Sequence, residues 1–501
     1  MNVSFRAVRV DASSSLGRFK ALRGVNAGPL PWTDKPGADR PDPFIEVSDR
    51  TGYRSLGADA SAGYRMANID LVRIHDNYGP GDIYNNFQGT HEMADGTIHE
   101  DATRNHLAMF PDLTADPSDP ASYNFGPTDE LVDSIYAVGA APIFRLGASA
   151  GESSGVPDSF TTDADFERYA EIARHVVLHY NKGWHDGAHR GIKYWEVLNE
   201  PDGRFDPEKY YRLYAAVARA VKEADPSALI GGPSLMFSFS GPAYEDDFLR
   251  YCRQNDVPID FWTFHDYCID SADPYYYVRV AEATRTLLDE HGFDRTEIIL
   301  DEWNVLGFDL DLLTMGGRAA FTASALIYMQ DSAIDEQTYY MGPNLFGEDG
   351  RSPNKIGQAL IALGSMKDTP VRLDVRGADT QGFAVQAGRS PDGRTINVVI
   401  VTYEVPPSLR GARATGDVIP EYNLNLLPRR DFDYHDNGGL DLLVTGLRAG
   451  ARYRVERYRV NDTWDHRLLS TEFVDGDRVD VTGPLQAPAI EHIVITEVSS
   501  D

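Results

Sequence analysis

Short apolar runs separated by longer amphipathic stretches set the rhythm of the chain from about residue 21 to residue 365. Eight of these runs read as strands: ALRGVNAG (21–28), IDLVRIHD (69–76), APIFRLG (141–147), IKYWEVLNE (192–200), ALIGGPS (228–234), DFWTFHDY (260–267), EIILDEWN (297–304) and EQTYYMG (336–342). Near-continuous apolar character over so few residues fits strands covered on both faces, the state of a parallel sheet wrapped by helices. The segments between them carry helical spacing. In 161–183, Phe166, Tyr169, Ala170, Ala173, Val177 and Tyr180 share one stripe, and Gly183 stands where that stripe ends. In 205–227, Asp206 is placed to cap the first turn, Pro207 suits the first helical position, and Pro226 stops the helix.

Eight strands, each followed by a helix, close into a (β/α)8 TIM barrel. Residues 77–125, between strands two and three, form a Gly-, Asp- and His-rich insertion expected to loop over the barrel mouth. Beyond about residue 370 the period changes to two. INVVIVTYEV, LDLLVTGL, ARYRVERYRVND and EHIVITEV alternate or run apolar between Gly, Asp and Pro turns, which predicts an accessory antiparallel β-sandwich. The early RAVRVDA looks like another strand of that layer. The predicted organisation is an α/β chain in three parts: an N-terminal strand segment over 1–20, a barrel over 21–365 and a β-sandwich over 366–501.

Composition narrows the range of functions. The 501 residues are 42% hydrophobic and 25% charged, which supplies a substantial core. A formal charge of -30 argues against a nucleic-acid partner, because phosphate binding needs clustered Lys and Arg. Cys252 and Cys268, the two cysteines, fit neither a zinc-thiolate site nor a disulfide framework. No window approaches the ~20 apolar residues that span a bilayer, so no membrane partner is expected. The N-terminus lacks an apolar stretch after a basic start, so the default location is the cytoplasm.

In a barrel of this kind the polar residues at the C-terminal strand ends face one mouth. Those ends carry Asn26, Arg73, His75, Asp76, Arg145, Asn199, Glu200, His265, Asp266, Tyr267, Glu302, Trp303 and Asn304. Glu302 follows Glu200 by 102 residues, three strand-helix units, so the two end strands four and seven, nearly across the barrel. Opposed carboxylates over a pocket are what glycosidic cleavage requires: one protonates the leaving oxygen and the other stabilises or traps the positive carbon.

Asn-Glu-Pro after strand four, with a Glu closing strand seven in ILDEWN, resembles the retaining glycosidases of clan A. More narrowly, VRIHD, EVLNEPD, GGPS, TFHDY and DEWN, in that order over roughly residues 20 to 365, resemble glycoside hydrolase family 39, the β-xylosidase and α-L-iduronidase family. The resemblance implies Glu200 as general acid/base and Glu302 as nucleophile. It implies that Asn199 bonds the sugar 2-hydroxyl, that Tyr267 holds the Glu302 rotamer, and that Arg73 keeps Glu302 ionised. By the same likeness His75 and His265 line the innermost sugar site and Trp303 offers it an apolar face; Asp76 and Arg145 are further substrate-binding candidates. Glu200 is expected to hold a proton near neutral pH, raised by poorer solvation and by the Glu302 charge.

Leu198 and Asp202 depart from the Trp-Asn-Glu-Pro-Asn of many β-xylosidases, and HDNYGPGDIYN (75–85) departs from their second-strand loop. The expected activity is retaining, exo-acting, β-xylosidase-like removal of a terminal xylose or related pentose from a glycoside or oligosaccharide. Other sugars of the family (iduronic acid, arabinose, galactose) and a non-catalytic carbohydrate-binding barrel are the alternatives. No cofactor and no metal are expected: His175 and His179 in HVVLH lack the Glu of HExxH, and His91, His99 and His106 match no ligand template. The oligomeric state is not legible.

Overall fold

The computed structural model describes residues 5–30, 59–75, 79–84, 90–92, 98–100, 107–148, 156–157, 159–203, 205–236, 238, 244–268, 271–305, 312–347, 349–411, 427, 429–434 and 438–498. All eight predicted barrel strands are present: Gly24–Asn26, Leu71–Arg73, Ala141–Leu146, Tyr194–Val197, Leu229–Leu235, Phe261–Asp266, Glu297–Trp303 and Glu336–Tyr339. They pair in parallel in chain order, and the eighth closes onto the first. Between them run helices whose ends follow local chemistry. Thr162 caps Asp163–Lys182 through a reciprocal capping box with Asp165, and Gly183, at φ 76°, ends it in the left-handed region that suits glycine. Asp206 caps Pro207–Ala224 by accepting from the Lys209 amide.

Two further sheets pack face to face. One is ordered Asp374–Arg376, Phe5–Asp11, Gly439–Thr445, Val479–Pro484; the other Val371–Arg372, Phe383–Arg389, Thr395–Thr402, Ala489–Val498, Arg452–Val460, Arg467–Asp475. Their inward residues, among them Val8, Val10, Val398, Ile400, Leu442, Val455 and Ile493, form a core separate from that of the barrel. The N-terminal strand joins this layer as its sequence predicts, with one difference. Phe5–Asp11 runs antiparallel to Asp374–Arg376 but parallel to Gly439–Thr445, so the sandwich is not wholly antiparallel. Tyr403, whose hydroxyl donates to the Ala272 carbonyl at 2.8 Å, ties the second sheet to the barrel.

The 77–125 insertion lies partly outside the described residues. Gly79–Tyr84 is fastened to the barrel rim, where the Ile83 amide donates to the Gly147 carbonyl at 2.8 Å. Residues 109 and 110 stay with this rim segment, their amides donating to the Asp82 and Ile83 carbonyls at 2.8 Å. Further on, Phe125 stacks on His179 at 3.7 Å and Tyr123 meets Trp184 edge-on at 5.1 Å, so this end of the insertion packs beside Asp163–Lys182. Among the described residues no helix is long and apolar enough to cross a membrane.

Candidate active site

Period-two alternation builds the barrel interior in layers. Leu71, Ile143, Tyr194, Phe261 and Ile299 form an apolar plug. Two residues further along the same five strands stand Arg73, Arg145, Glu196, Thr263 and Asp301, all fully buried and all polar. Above them the strand ends carry His265, Glu200 and Glu302.

Irregularities in strands five and seven add two more groups to this layer. A register shift between Leu300 and Glu302 interrupts strand seven, and the adjacent Asp301 and Glu302 both reach Arg73. Arg73 Nε lies 3.2 Å from Asp301 Oδ2, and a terminal nitrogen donates to Glu302 Oε2 at 3.0 Å. In strand five a shift between Pro233 and Leu235 accompanies Ser234 at φ 53°. Its hydroxyl accepts from Arg73 at 2.8 Å and donates to Asp301 Oδ2 at 2.8 Å. Arg73 also donates to Glu196 at 2.7 Å, Asn199 at 2.7 Å and Asn26 at 3.2 Å, so one guanidinium organises the floor of the site.

The short stretch after strand four positions Glu200. Leu198 and Glu200 both adopt left-handed backbone, φ 64° and 48°, and the Glu200 amide donates to the Ser234 carbonyl at 2.9 Å. Such conformations cost of order 1–3 kcal/mol each for non-glycine residues and persist where the surroundings impose them. Glu200 Oε1 faces His265 Nδ1 at 3.0 Å. Across the gap, Glu302 accepts from the Tyr267 hydroxyl on Oε1 and from Arg73 on Oε2, with His75 Nε2 3.3 Å from the latter. A carboxylate oxygen of Glu200, one of Glu302 and a ring nitrogen of His265 all lie within 4.8 Å of one another. The Glu200 side chain is 15% exposed and that of Glu302 7%, so the former is the more open to solvent.

Electrostatics fixes where protons sit beneath this gap. Burial alone would lower the His265 pKa, but the charges of Glu302 and Asp301, with hydrogen bonds to Asp301 and Glu200, carry it well above its ordinary value. Burial also disfavours the Asp301 anion, yet Arg73 and His265 outweigh it and hold Asp301 ionised. Burial pushes Glu196 up, against Arg73 and with Asp301, so Glu196 keeps its proton beside the ionised Asp301. Arg73 and His265 thus face the carboxylate of Asp301 and the carboxyl groups of Glu302 and Glu200 across the floor of the site.

These groups set the pH dependence of stability. Burial raises Asp266 to about 7 and Glu336 to about 8, the latter aided by the Asp70 charge. A carboxyl whose folded pKa exceeds its unfolded value favours the folded state below the unfolded value, and that advantage is lost as pH climbs to the folded one; raised His265 acts in the same direction above about 6.5. The thermal midpoint is therefore expected to fall by several degrees between pH 5.5 and pH 8. Scanning calorimetry showing a rise over this interval would contradict the protonated state of Glu196 and His265.

The structure brings together Arg73, His75, Asn199, Glu200, His265, Tyr267 and Glu302. Three other sequence candidates fare differently. Trp303 is fully buried and turned away from the gap: its indole nitrogen donates to Gln337, and its ring meets Tyr277 and Tyr339 edge-on at 5.1 and 5.2 Å. It is core between strand and helix and offers no face to a sugar. Arg145 is fully buried and pairs with Asp82 at 2.7 Å, which fastens Gly79–Tyr84 to the rim. Asp76 lies outside the described residues. Sequence reasoning missed Glu196, Ser234 and Asp301. Period two from Tyr194 signals Glu196 and period two from Ile299 signals Asp301; nothing in the sequence marks the register shift beside Ser234.

Glu200, His265 and Glu302 are close enough to surround a cation. The two ring nitrogens of His265 are engaged within the site, Nδ1 with Glu200 at 3.0 Å and Nε2 with the Ser234 hydroxyl at 2.9 Å and Asp301 at 3.3 Å. His175 and His179 are engaged elsewhere, with Nδ1 against the Glu171 and Trp184 carbonyls at 3.0 and 2.9 Å. His91, His99 and His106 lie outside the residues whose side chains are described.

Residues 83–308, which contain both glutamates, match the family model for Glycosyl hydrolases family 39. A β-xylosidase of Geobacillus stearothermophilus is 25% identical over 276 residues, 49% of this chain and 54% of that protein; the chain thus matches about half the length of this curated relative. The crystal structure of a glucosidase from Croceicoccus marinus superposes with a TM-score of 0.81 at 30% identity, covering 99% of this chain and 100% of the other. A monomeric β-xylosidase from Caulobacter crescentus shares the fold at TM-score 0.64 and 18% identity, covering 99% and 100%. With the barrel, the sandwich and the motifs at the strand ends in agreement, the chain belongs to family 39 of the glycosyl hydrolases.

Proposed function

We propose that the protein is a retaining, exo-acting glycoside hydrolase that removes a terminal sugar by double displacement, with xylose or a related pentose as the preferred residue. One observation carries the reading: the 4.8 Å limit on the gap between Glu200 and Glu302 oxygens. Carboxyls about 5–5.5 Å apart leave no room for a water between nucleophile and sugar, whereas inversion needs about 6.5–9.5 Å.

In the first step a Glu302 oxygen bonds to the anomeric carbon as the glycosidic bond breaks, and the Glu200 proton passes to the departing oxygen. In the second, Glu200 takes a proton from water, whose oxygen displaces Glu302 and restores both carboxyls. Tyr267 and Arg73 fix the Glu302 oxygens for attack. Asn199, oriented by Arg73, is the partner of the sugar 2-hydroxyl.

The full-length likeness to a glucosidase favours a second reading of the sugar, a terminal glucoside. Proton NMR of aryl xyloside and aryl glucoside hydrolysis tests both points. Retention is expected in the first-formed sugar, with faster release from the xyloside. Inversion would overturn the two-step mechanism, faster glucoside release would reassign the sugar, and turnover of neither across a wider panel would favour a binding-only barrel.

A further inference from the structure

Strand six ends at Asp266, and the next residue, Tyr267, donates to Glu302. The loop that follows closes on itself. Cys268 takes left-handed backbone at φ 51°, and its amide donates to Asp266 Oδ1 at 2.7 Å. The Cys268 carbonyl accepts from the Ser271 and Ala272 amides at 3.3 Å. Its thiol lies 3.0 Å from Ser271 Oγ and donates to the Asp273 carbonyl at 3.3 Å. Any displacement of Asp273 is therefore felt at Cys268, the neighbour of Tyr267.

The far end of this loop is fastened from outside the barrel. Arg430 grips the Asp273 carboxylate with two donors, Nε to Oδ2 at 2.6 Å and a terminal nitrogen to Oδ1 at 2.7 Å. The Asp273 side chain is 3% exposed, so the fork acts in a poorly solvated place, where a planar two-point ion pair fixes orientation as well as distance. The same terminal nitrogen donates to the Thr380 carbonyl at 2.6 Å, just before the sandwich strand Phe383–Arg389. Tyr403, from the end of the next strand, adds its hydroxyl bond to the Ala272 carbonyl. Two consecutive residues of the loop are thus held by side chains from outside the barrel. A second fork stands at the opposite end of the barrel, where Arg372 donates to both oxygens of Asp331 at 2.6 and 2.5 Å, between helix Met315–Met329 and the start of strand eight. Asp331 is 73% exposed there and lies away from the mouth.

We infer, on the reading of Glu302 as nucleophile, that Arg430 is a positioning residue for the reaction: through Asp273 and the folded loop it holds Tyr267 on Glu302. The sandwich side of the molecule then takes part in catalysis by orienting a group of the barrel.

A double-mutant cycle on an aryl glycoside tests this, with Arg430→Met, Tyr267→Phe and their combination in the full chain. Arg430→Met is expected to lower kcat by about tenfold while KM changes less than about threefold, because the nucleophile loses orientation and the sugar keeps its contacts. In the Tyr267→Phe background the bond to Glu302 is already gone, so the same exchange is expected to cost less than about twofold. Arg430→Met strands the Asp273 charge. The paired exchange Arg430→Met with Asp273→Asn removes both charges, should melt near the wild type and should show the same loss in kcat. Arg372→Ala, which cuts the other fork, is expected to leave kcat unchanged. Equal losses from Arg430→Met with and without the Tyr267 hydroxyl, a wild-type kcat in the paired exchange, or an equal loss in Arg372→Ala would each overturn the inference. Glu302→Ala measured alongside keeps the two claims apart. Activity in that variant would overturn the nucleophile reading and the inference with it, whereas an inactive Glu302→Ala beside an Arg430→Met of wild-type rate would overturn the inference alone.

Discussion

Glu302→Ala is expected to lower kcat on an aryl glycoside by about ten-thousand-fold or more, with the fold retained. On the proposed mechanism this side chain forms the bond that divides one difficult displacement into two easier ones, and no neighbour can replace it. Asp301 is adjacent in sequence, but its Oδ2 is held by Ser234, His265 and Arg73 in a fully buried position below the gap. The fold should survive because Arg73 keeps Glu196 at 2.7 Å and Asp301 at 3.2 Å, so its charge is not stranded. Glu302→Gln, which preserves shape without the charge, should be comparably inactive. Steady-state kinetics with a thermal-melt control checks this, and a folded variant retaining more than about a hundredth of the wild-type kcat would remove Glu302 from the nucleophile role.

Glu200→Ala should divide substrates by their leaving group. General acid catalysis contributes about a hundred- to ten-thousand-fold, and only where the departing oxygen needs a proton. An alkyl glycoside or a disaccharide should therefore lose that factor in kcat/KM, while a dinitrophenyl glycoside should keep nearly all of its own. The second step still needs Glu200 as base, so kcat on the activated substrate should fall and KM fall with it as the glycosyl-enzyme accumulates. Such a split cannot come from general misfolding, which would depress all substrates alike.

Much of this arrangement is legible in the amino-acid sequence. Strands buried on both faces must be apolar along their whole length, so all eight stand out, and the polar residue that ends each run marks the mouth. Glu200 and Glu302 are readable for that reason. Trp303 misleads because adjacency to Glu302 suggests a shared site, whereas in a strand the neighbour of an inward residue faces outward, and Trp303 lies among Tyr277 and Tyr339. Arg145 is ambiguous because its partner Asp82 comes from the insertion, and no local pattern announces a contact spanning 63 residues. Ser234 is hidden for a different reason. It enters the site through a register shift, set by tertiary packing more than by composition. The raised Glu196 beside the lowered Asp301 follows from burial and from the charges around Arg73, a property of the three-dimensional arrangement that no local pattern carries.

The central claim is that Glu302 bonds covalently to the sugar while Glu200 manages the protons across a gap of 4.8 Å or less. Mass spectrometry of Glu200→Ala, quenched during turnover of a dinitrophenyl glycoside, tests it most directly. The account predicts a mass increase of one glycosyl unit, mapped by peptide digestion to Glu302. A label on any other residue, or full activity loss on this substrate with no label at all, would contradict it.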